Sequence, residues 1–430
     1  MDINNMHPAD QLITYMQRIY DKGMTTTSGG NLSIMDGEGN IWITPAGVDK
    51  GTLNRRDIVC VTPDGTCIGA HKPSSELPFH AAVYKMRPDL RAVIHAHSPA
   101  LMSFSIMRKC PNLNLLPVVR QLCRNVKIAS YDVPGSARLG EKIGQCFAQD
   151  CDIVLLENHG VCIGAADMFT AFQRFETLEY AANLEILASR IGTSRALPDE
   201  AYEATQTRTH LKMGDFVPEN TSEEELSVRR GMITMIHRAC RQGLFTGALG
   251  TYSVRLADGS FLITPFGMDR AYLEENDLVL VKTGRKEQGK IPARSVGLHE
   301  KIYGANREIR SIILAQPAHA MAFAVTDIPL DPTTIPESYV MLREVKRMGY
   351  GENYIQQDKF AAYFSEVTPV AMVENDFVIV TGGSMLQAFD RLEVMESAAH
   401  ALIDATIMGG IVPISSGELE DLKKAFHLKD

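Results

Sequence analysis

ITPAGVDK, residues 43–50, recurs 220 residues later as ITPFGMDR, residues 263–270. The likeness extends outward from this pair. GGNLSI (29–34) faces LGTYSV (249–254) at the same shift. PDLRAVIHAHSPALMSF (88–104) faces REIRSIILAQPAHAMAF (307–323), and LLENHGVCIGAADMFTAFQRFE (155–176) faces MVENDFVIVTGGSMLQAFDRLE (372–393). The matches keep their order and nearly their spacing, which is how one folding unit present twice reads in a sequence. A chain of 430 residues is also long for one typical domain. Between the copies the chain is polar and turn-rich, with room for a helix. The expected organisation is a first domain over residues 1–195, a linker over 196–223 and a second domain over 224–430.

Each copy mixes element types. Leu12, Ile13, Met16, Ile19 and Tyr20 fall at helical spacing and predict a helix over 11–22. Residues 31–35 and 41–44 read as strands joined by the turn DGEGN, and residues 57–62 as another short strand. A helix over 76–86 follows a Ser74-Ser75 cap. Residues 92–97 and 152–156 read as strands, and 169–188 as a long helix. The fold class this implies is α/β, as two tandem layered domains around a central mixed or antiparallel sheet.

Hydrophobic residues make up 45% of the chain and charged residues 22%, enough apolar material for a sizeable core. The formal net charge of -9 disfavours a nucleic-acid surface. None of the eight cysteines forms a CxxC pair, so they read as reduced thiols in a cytoplasmic protein. The start, MDINNMHPADQ, lacks a basic segment followed by an apolar one, and no apolar run reaches membrane-spanning length.

The chemistry concentrates in the first copy. On a strand, residues i and i+2 face the same side, so His95 and His97 project together. His159, in the loop after the strand 152–156, is the best third ligand for a shared divalent ion. Three histidines leave a coordination position open, as in catalytic rather than structural zinc. In the second copy His95 becomes Leu314, His97 becomes Gln316 and His159 becomes Asp376. Their joint loss, within a pattern that otherwise persists, fits one shared task. Glu76 follows the same rule: Ser74-Ser75-Glu76 faces Ala293-Arg294-Ser295. Glu76 is therefore the candidate general base or displaceable ligand, whereas His80 persists as His299 and reads as structural. Three stretches could present backbone N–H groups to an anion: Ser28-Gly29-Gly30-Asn31, Thr44-Pro45-Ala46-Gly47 and Ser74-Ser75.

Taken together, Gly30-Asn31-Leu32-Ser33, Thr44-Pro45-Ala46-Gly47, Ser74-Ser75-Glu76, His95-Ala96-His97 and Asn158-His159-Gly160 resemble the motifs of the class II aldolase/adducin family. The resemblance covers nearly all of the first domain, and the second is similar to a degenerate copy without the site. It implies an α/β/α layered fold and zinc, or another divalent ion, on His95, His97 and His159, one per chain. It implies Glu76 as acid/base, and Gly30, Asn31, Ala46, Gly47, Ser74 and Ser75 as the residues that bind the substrate phosphate. It departs at Ala46, where a serine or threonine is expected. The implied activity is that of a metal-dependent aldolase, a lyase cleaving a sugar phosphate or related sugar acid through a metal-stabilised enediolate. An epimerase, decarboxylase or dehydratase on a similar substrate, or a non-catalytic adducin-like scaffold, are the alternatives. In the family a tyrosine of a neighbouring subunit often takes part, which this sequence does not single out. The implied assembly is a homo-oligomer, a dimer forming a pseudo-tetramer, with no nucleic-acid or membrane partner.

Overall fold

The computed structural model describes residues 5–206 and 210–429, and the chain separates into two compact units. One holds the described residues through Leu113 together with Val118–Asn183; the other holds Asn114–Pro117 and everything described from Leu184 onward.

The first unit carries β1 (Asn31–Met35), β2 (Ile41–Ile43), β3 (Val59–Val61), β4 (Cys67–Ile68), β5 (Ala92–Ala96), β6 (Val126–Ala129), β7 (Ile153–Leu156) and β8 (Gly160–Ala165). These form one sheet in the order β4-β3-β2-β1-β5-β8-β7-β6, antiparallel except for the parallel pair β6–β7. The hairpin β1–β2 is fixed by its turn. The Asp36 carboxylate accepts N–H bonds from Glu38 and Asn40 (2.9 Å each) and from the Trp42 indole (2.9 Å). Strand β5 lies between β1 and β8, and all five of its residues are buried. That is why it reads as a continuous apolar run rather than an alternating one.

The second unit repeats this plan with β10 (Thr251–Arg255), β11 (Phe261–Ile263), β12 (Val279–Lys282), β13 (Arg285–Glu287), β14 (Ser311–Ala315), β15 (Lys346–Met348), β16 (Val370–Val373) and β17 (Phe377–Gly382). Its order is β15-β16-β17-β14-β10-β11-β12-β13, and β9 (Gly214–Phe216), from the expected linker, pairs in parallel with β13 to add a ninth strand. The expected α/β class, with central sheets that are mixed and largely antiparallel, is the one observed. The helix allowed for in the linker spans Asp199–Gln206.

Both units anchor the end of the central strand in the same way. A carboxylate from the long helix that closes the unit caps the helix that follows the strand. Glu179 accepts from the Ser98 hydroxyl (2.7 Å) and from the Ala100 and Leu101 N–H groups (3.0 Å each). Glu396 accepts from the His319 and Ala320 N–H groups (3.1 and 2.9 Å). A carboxylate at a helix N-terminus satisfies free donors and suits the dipole.

A second shared device is a buried polar triad. Ser33 Oγ lies 2.7 Å from both His80 Nδ1 and the Tyr84 hydroxyl. Ser253 Oγ lies 2.6 Å from both His299 Nδ1 and the Tyr303 hydroxyl. Burial pushes His299 down to about 3 from the usual 6.5. The unfolded chain then takes up this proton before the folded one does. The histidine's contribution to stability is complete above pH 6.5 and is lost as pH falls toward 3, at up to about 1.4 kcal/mol per pH unit. Urea midpoints between pH 7 and 4 are expected to show this slope, and His299→Gln should remove one proton's worth of it.

Among the described residues no helix is long and apolar enough to cross a membrane. All eight cysteines are free; Cys60, Cys123, Cys151, Cys162 and Cys240 are buried, while Cys67 and Cys110 are exposed.

Candidate functional site

The local chain paths explain how the three histidines meet. Strand β5 ends at Ala96, one residue short of the expected strand over 92–97, so His97 stands just beyond it yet still on the His95 side. The turn from β7 to β8 puts Asn158 in the left-handed region (φ 57°). The His159 N–H is held by the Leu156 carbonyl (3.1 Å) and the Ser105 hydroxyl (2.9 Å). Glycines let these segments approach. A Cβ on Gly160 would lie 2.6 Å from the Ala96 carbonyl oxygen and 2.8 Å from His97 Cδ2. One on Gly30 (φ +67°) would lie 2.7 Å from the His95 carbonyl oxygen. Gly160→Ala is therefore expected to destabilise the first unit by about 1–3 kcal/mol and to weaken metal binding by displacing His97. Thermal unfolding and metal content check both.

His95, His97 and His159 each offer a ring nitrogen within 4.8 Å of the others, and they are the one such His/Cys/Asp/Glu group among the described residues. His95 Nδ1 donates to the Val161 carbonyl (2.9 Å), which directs the lone pair of Nε2 into the cluster. His97 Nε2 lies 2.9 Å from His95 Nε2. Glu76 faces the group, with Oε2 3.2 Å from His95 Nε2 and Oε1 3.4 Å from His159 Nε2. Burial first, then the neighbouring His97 and His159, push His95 well below the usual imidazole range. Burial also lowers His97 and His159, against the opposing pull of Glu76. The rings are thus neutral near pH 7, the form that binds metal.

The fit to a divalent cation follows from this geometry. A neutral His95 that donates through Nδ1 has no proton on Nε2, so a lone pair faces a carboxylate oxygen at 3.2 Å. Glu76 Oε1 is buried without a hydrogen-bond partner. Converging acceptors with no positive charge between them are what a cation resolves, and nitrogen-rich donors suit zinc and related ions.

Asn31 and Glu76 are set by a directed hydrogen-bond chain. The Asn31 amide donates to Glu76 Oε2 (2.7 Å), and its oxygen lies 2.5 Å from His80 Nε2. With Nε2 as donor, His80 accepts at Nδ1 from Ser33, which accepts from Tyr84. Asn31, expected among the substrate-binding residues, spends its side chain on holding Glu76. Glu76 itself precedes the helix Leu77–Met86 and makes no capping bond with its side chain, which turns into the site instead.

Two of the three expected anion loops, Thr44–Gly47 and Ser74-Ser75, come together through a bridge between Pro45 and Pro73. The Ala46 N–H donates to the Lys72 carbonyl (3.0 Å) and the Ser74 N–H to Thr44 (3.2 Å), so neither is open to a ligand. Gly47 (φ +68°) has open space where a side chain would be. Ser75 is exposed and the Ser74 hydroxyl accepts from the Glu76 N–H (3.3 Å). His71, for which the sequence offers no partner, pairs with Asp57 at 2.9 Å. Tyr131 is exposed, and its backbone N–H sits 3.1 Å from the Glu157 carboxylate, two residues before His159.

The second unit has closed over the same place. Thr251 pairs with Leu314 as Asn31 pairs with His95, so the registers correspond. Leu314 and Phe377, at the positions of His95 and Gly160, belong to the apolar core. Gln316 Nε2 donates to the Asp376 backbone (3.3 Å). Arg294 lies over the ring of Phe266, 4.7 Å from its centroid, where the first unit has Ser75 and Ala46. With Thr251 in place of Asn31, the fully buried His299 keeps its Ser253 bond but has no partner at Nε2.

A fold built twice, with one histidine cluster and its carboxylate, defines a class that comparison with known proteins identifies. The profile of the Class II Aldolase and Adducin N-terminal domain matches residues 10–186 and again 230–403. The chain belongs to the class II aldolase and adducin family, as a tandem member. It is 32% identical over 197 residues to 5-deoxy-D-ribulose 1-phosphate aldolase of Bacillus thuringiensis, covering 45% of this chain and 91% of that protein. To L-fuculose phosphate aldolase of Methanococcus maripaludis it is 32% identical over 42% of this chain and 97% of that one. To 3-oxo-tetronate 4-phosphate decarboxylase of Escherichia coli it is 31% identical over 41% and 84%.

Proposed function

We propose that the protein is a metal-dependent lyase, an aldolase that cleaves a phosphorylated ketose or related sugar acid in its first domain. The observation that carries this reading is Glu76: a buried carboxylate, held by Asn31, with an unpartnered oxygen facing three neutral imidazoles. His95, His97 and His159 would hold zinc or a similar ion. When bound, such an ion supplies Lewis acidity to the substrate oxygens beside the breaking bond. Glu76 would take and return a proton at those oxygens or the adjoining carbon. The directed chain through Asn31 and His80 keeps its carboxylate aimed. The relatives' own substrates, two ketose phosphates and a phosphorylated sugar acid, favour an anionic sugar.

Decarboxylation is the second reading, favoured by the decarboxylase among the relatives. One assay separates them. Metal-loaded protein is incubated with ketose 1-phosphates and with sugar-acid phosphates, and aldehyde, CO2 and epimer are measured. Aldehyde from a ketose phosphate is expected. CO2 alone would replace the lyase reading with the second. No turnover of any of them by metal-loaded protein would favour the scaffold. The chain is proposed to work as a homo-oligomer, with light scattering expected to give a dimer.

A further inference from the structure

Lys50 closes the ITPAGVDK stretch, and only 3% of its surface is exposed. Its backbone N–H donates to the Thr27 carbonyl (3.0 Å), and its ammonium donates to the Pro45 carbonyl. One residue therefore ties the loop before β1 to the loop after β2. The Pro45 carbonyl uses one of three ammonium N–H bonds. Among the described residues nothing accepts the other two, and no carboxylate pairs with the charge. The acidic and titratable groups on the surrounding segments are committed elsewhere. Asp49 accepts from the Gly51 N–H (3.0 Å) and the Thr52 hydroxyl (2.9 Å), and the Tyr20 phenol sits 3.5 Å from the Thr27 hydroxyl. His71 is paired with Asp57 (2.9 Å) and Glu76 with Asn31 (2.7 Å). Lys72, on the neighbouring loop, is exposed and of the same sign. A buried ammonium without a counter-charge is costly, and burial alone pushes it down to about 8.

The second copy supplies a control. Arg270 stands at this position, 5% exposed, and its guanidinium donates to the carbonyls of Gly250 (2.8 Å) and Met268 (2.6 Å). The scaffold thus accepts a cation here as a tie between loops, and in both copies the tie is made to backbone carbonyls. In the first copy the cation retains unused donors, under a loop whose Gly47 opens onto free space. That loop also lacks a hydroxyl at Ala46.

We propose that Lys50 is the specificity-determining charge for the anionic end of the substrate: fixed beneath the Thr44–Gly47 loop, its ammonium selects a phosphate monoester dianion over a neutral end. This rests on the site assignment above, with Lys50 supplying the attraction that Ala46 does not. A dianion is the counter-charge the buried ammonium lacks. Bound phosphate should hold the lysine protonated, so that binding above pH 8 draws in a proton and affinity falls about tenfold per pH unit.

The test uses the full chain, metal-loaded, with inorganic phosphate as the probe. Calorimetry in buffers of different ionisation enthalpy is run from pH 7 to 9.5. The expected wild-type result is proton uptake above pH 8 and a matching loss of affinity. Lys50→Met, which keeps the stem and removes the charge, is expected to bind phosphate at least tenfold more weakly with no proton uptake and unchanged metal content. Lys50→Arg, the second copy's own choice, should keep the affinity at pH 7 and hold it to pH 9.5. Equal phosphate affinity in Lys50→Met, or the same alkaline decline in Lys50→Arg as in wild type, would overturn the proposal. The arginine variant decides the matter even where the methionine variant does not fold. Turnover of a ketose phosphate with kcat/KM unchanged in Lys50→Met would remove Lys50 while leaving the lyase reading. Lys50-dependent phosphate binding in a chain that turns over no such substrate would do the reverse.

Discussion

His95→Ala is expected to empty the metal site and with it the activity. His95 is the histidine whose orientation is most tightly determined. It is fully buried in the middle of the sheet, its Nδ1 is fixed on the Val161 carbonyl at 2.9 Å, and its Nε2 is 3.2 Å from Glu76 and 2.9 Å from His97. Removing it leaves two imidazoles and a carboxylate, too few nitrogen ligands for a tight site of the three-histidine kind. Wild-type protein should carry about one divalent ion per chain, because the second unit offers Leu314, Gln316 and Asp376 in the same places. The variant should carry almost none after gel filtration. Loss of Lewis acidity worth about 4 kcal/mol in the transition state lowers turnover about 10³-fold. Elemental analysis is the primary readout. A variant with wild-type metal content would remove His95 from the site, whatever its activity.

Glu76→Gln separates holding the metal from moving the proton. The amide is nearly isosteric and can still meet Asn31 after a flip, so the fold and the three-imidazole cluster should persist. It cannot act as a base. General acid–base catalysis of this kind contributes about 10²–10⁴-fold, and that is the expected loss in kcat, with metal content close to wild type. Asn31→Thr copies the residue of the second unit. It should give a milder version of the same defect, since Glu76 would keep its carboxylate but lose its donor at 2.7 Å. Unaltered turnover in Glu76→Gln would take the carboxylate out of the chemistry.

Much of this was legible in the chain itself, because the sequence contains its own comparison. The repeat exposed the family fold and separated residues the scaffold needs from residues only one copy has. The strands over 31–35 and near 92–97 were readable from β-branched and apolar runs, and β1 spans Asn31–Met35. What the sequence could not show were pairings made across the fold. His80 reads as structural because His299 repeats it, and for its Nδ1 side that is how both copies use it. Its Nε2 side reaches Asn31 only in the first copy, and a repeat of residue identity cannot reveal which edge of a ring is engaged. The joint loss of Asn31 and Glu76, as Thr251 and Ser295, was the available signal. Ala46 shows the opposite limit: a loop whose glycine suggests open N–H groups spends one of them on Lys72. The linker strand β9 has three residues, GDF, with no alternation to detect, and exists because β13 offers an edge.

The unpartnered Nε2 of His299 also marks where the two halves of the chain part company. A buried ring nitrogen without a partner confers no stability. In the first half the same nitrogen of His80 leads on through Asn31 to Glu76, and in the second half Thr251 and Ser295 stand in those places. Ser253, His299 and Tyr303 thus hold the arrangement of Ser33, His80 and Tyr84 with nothing left at its far end to aim.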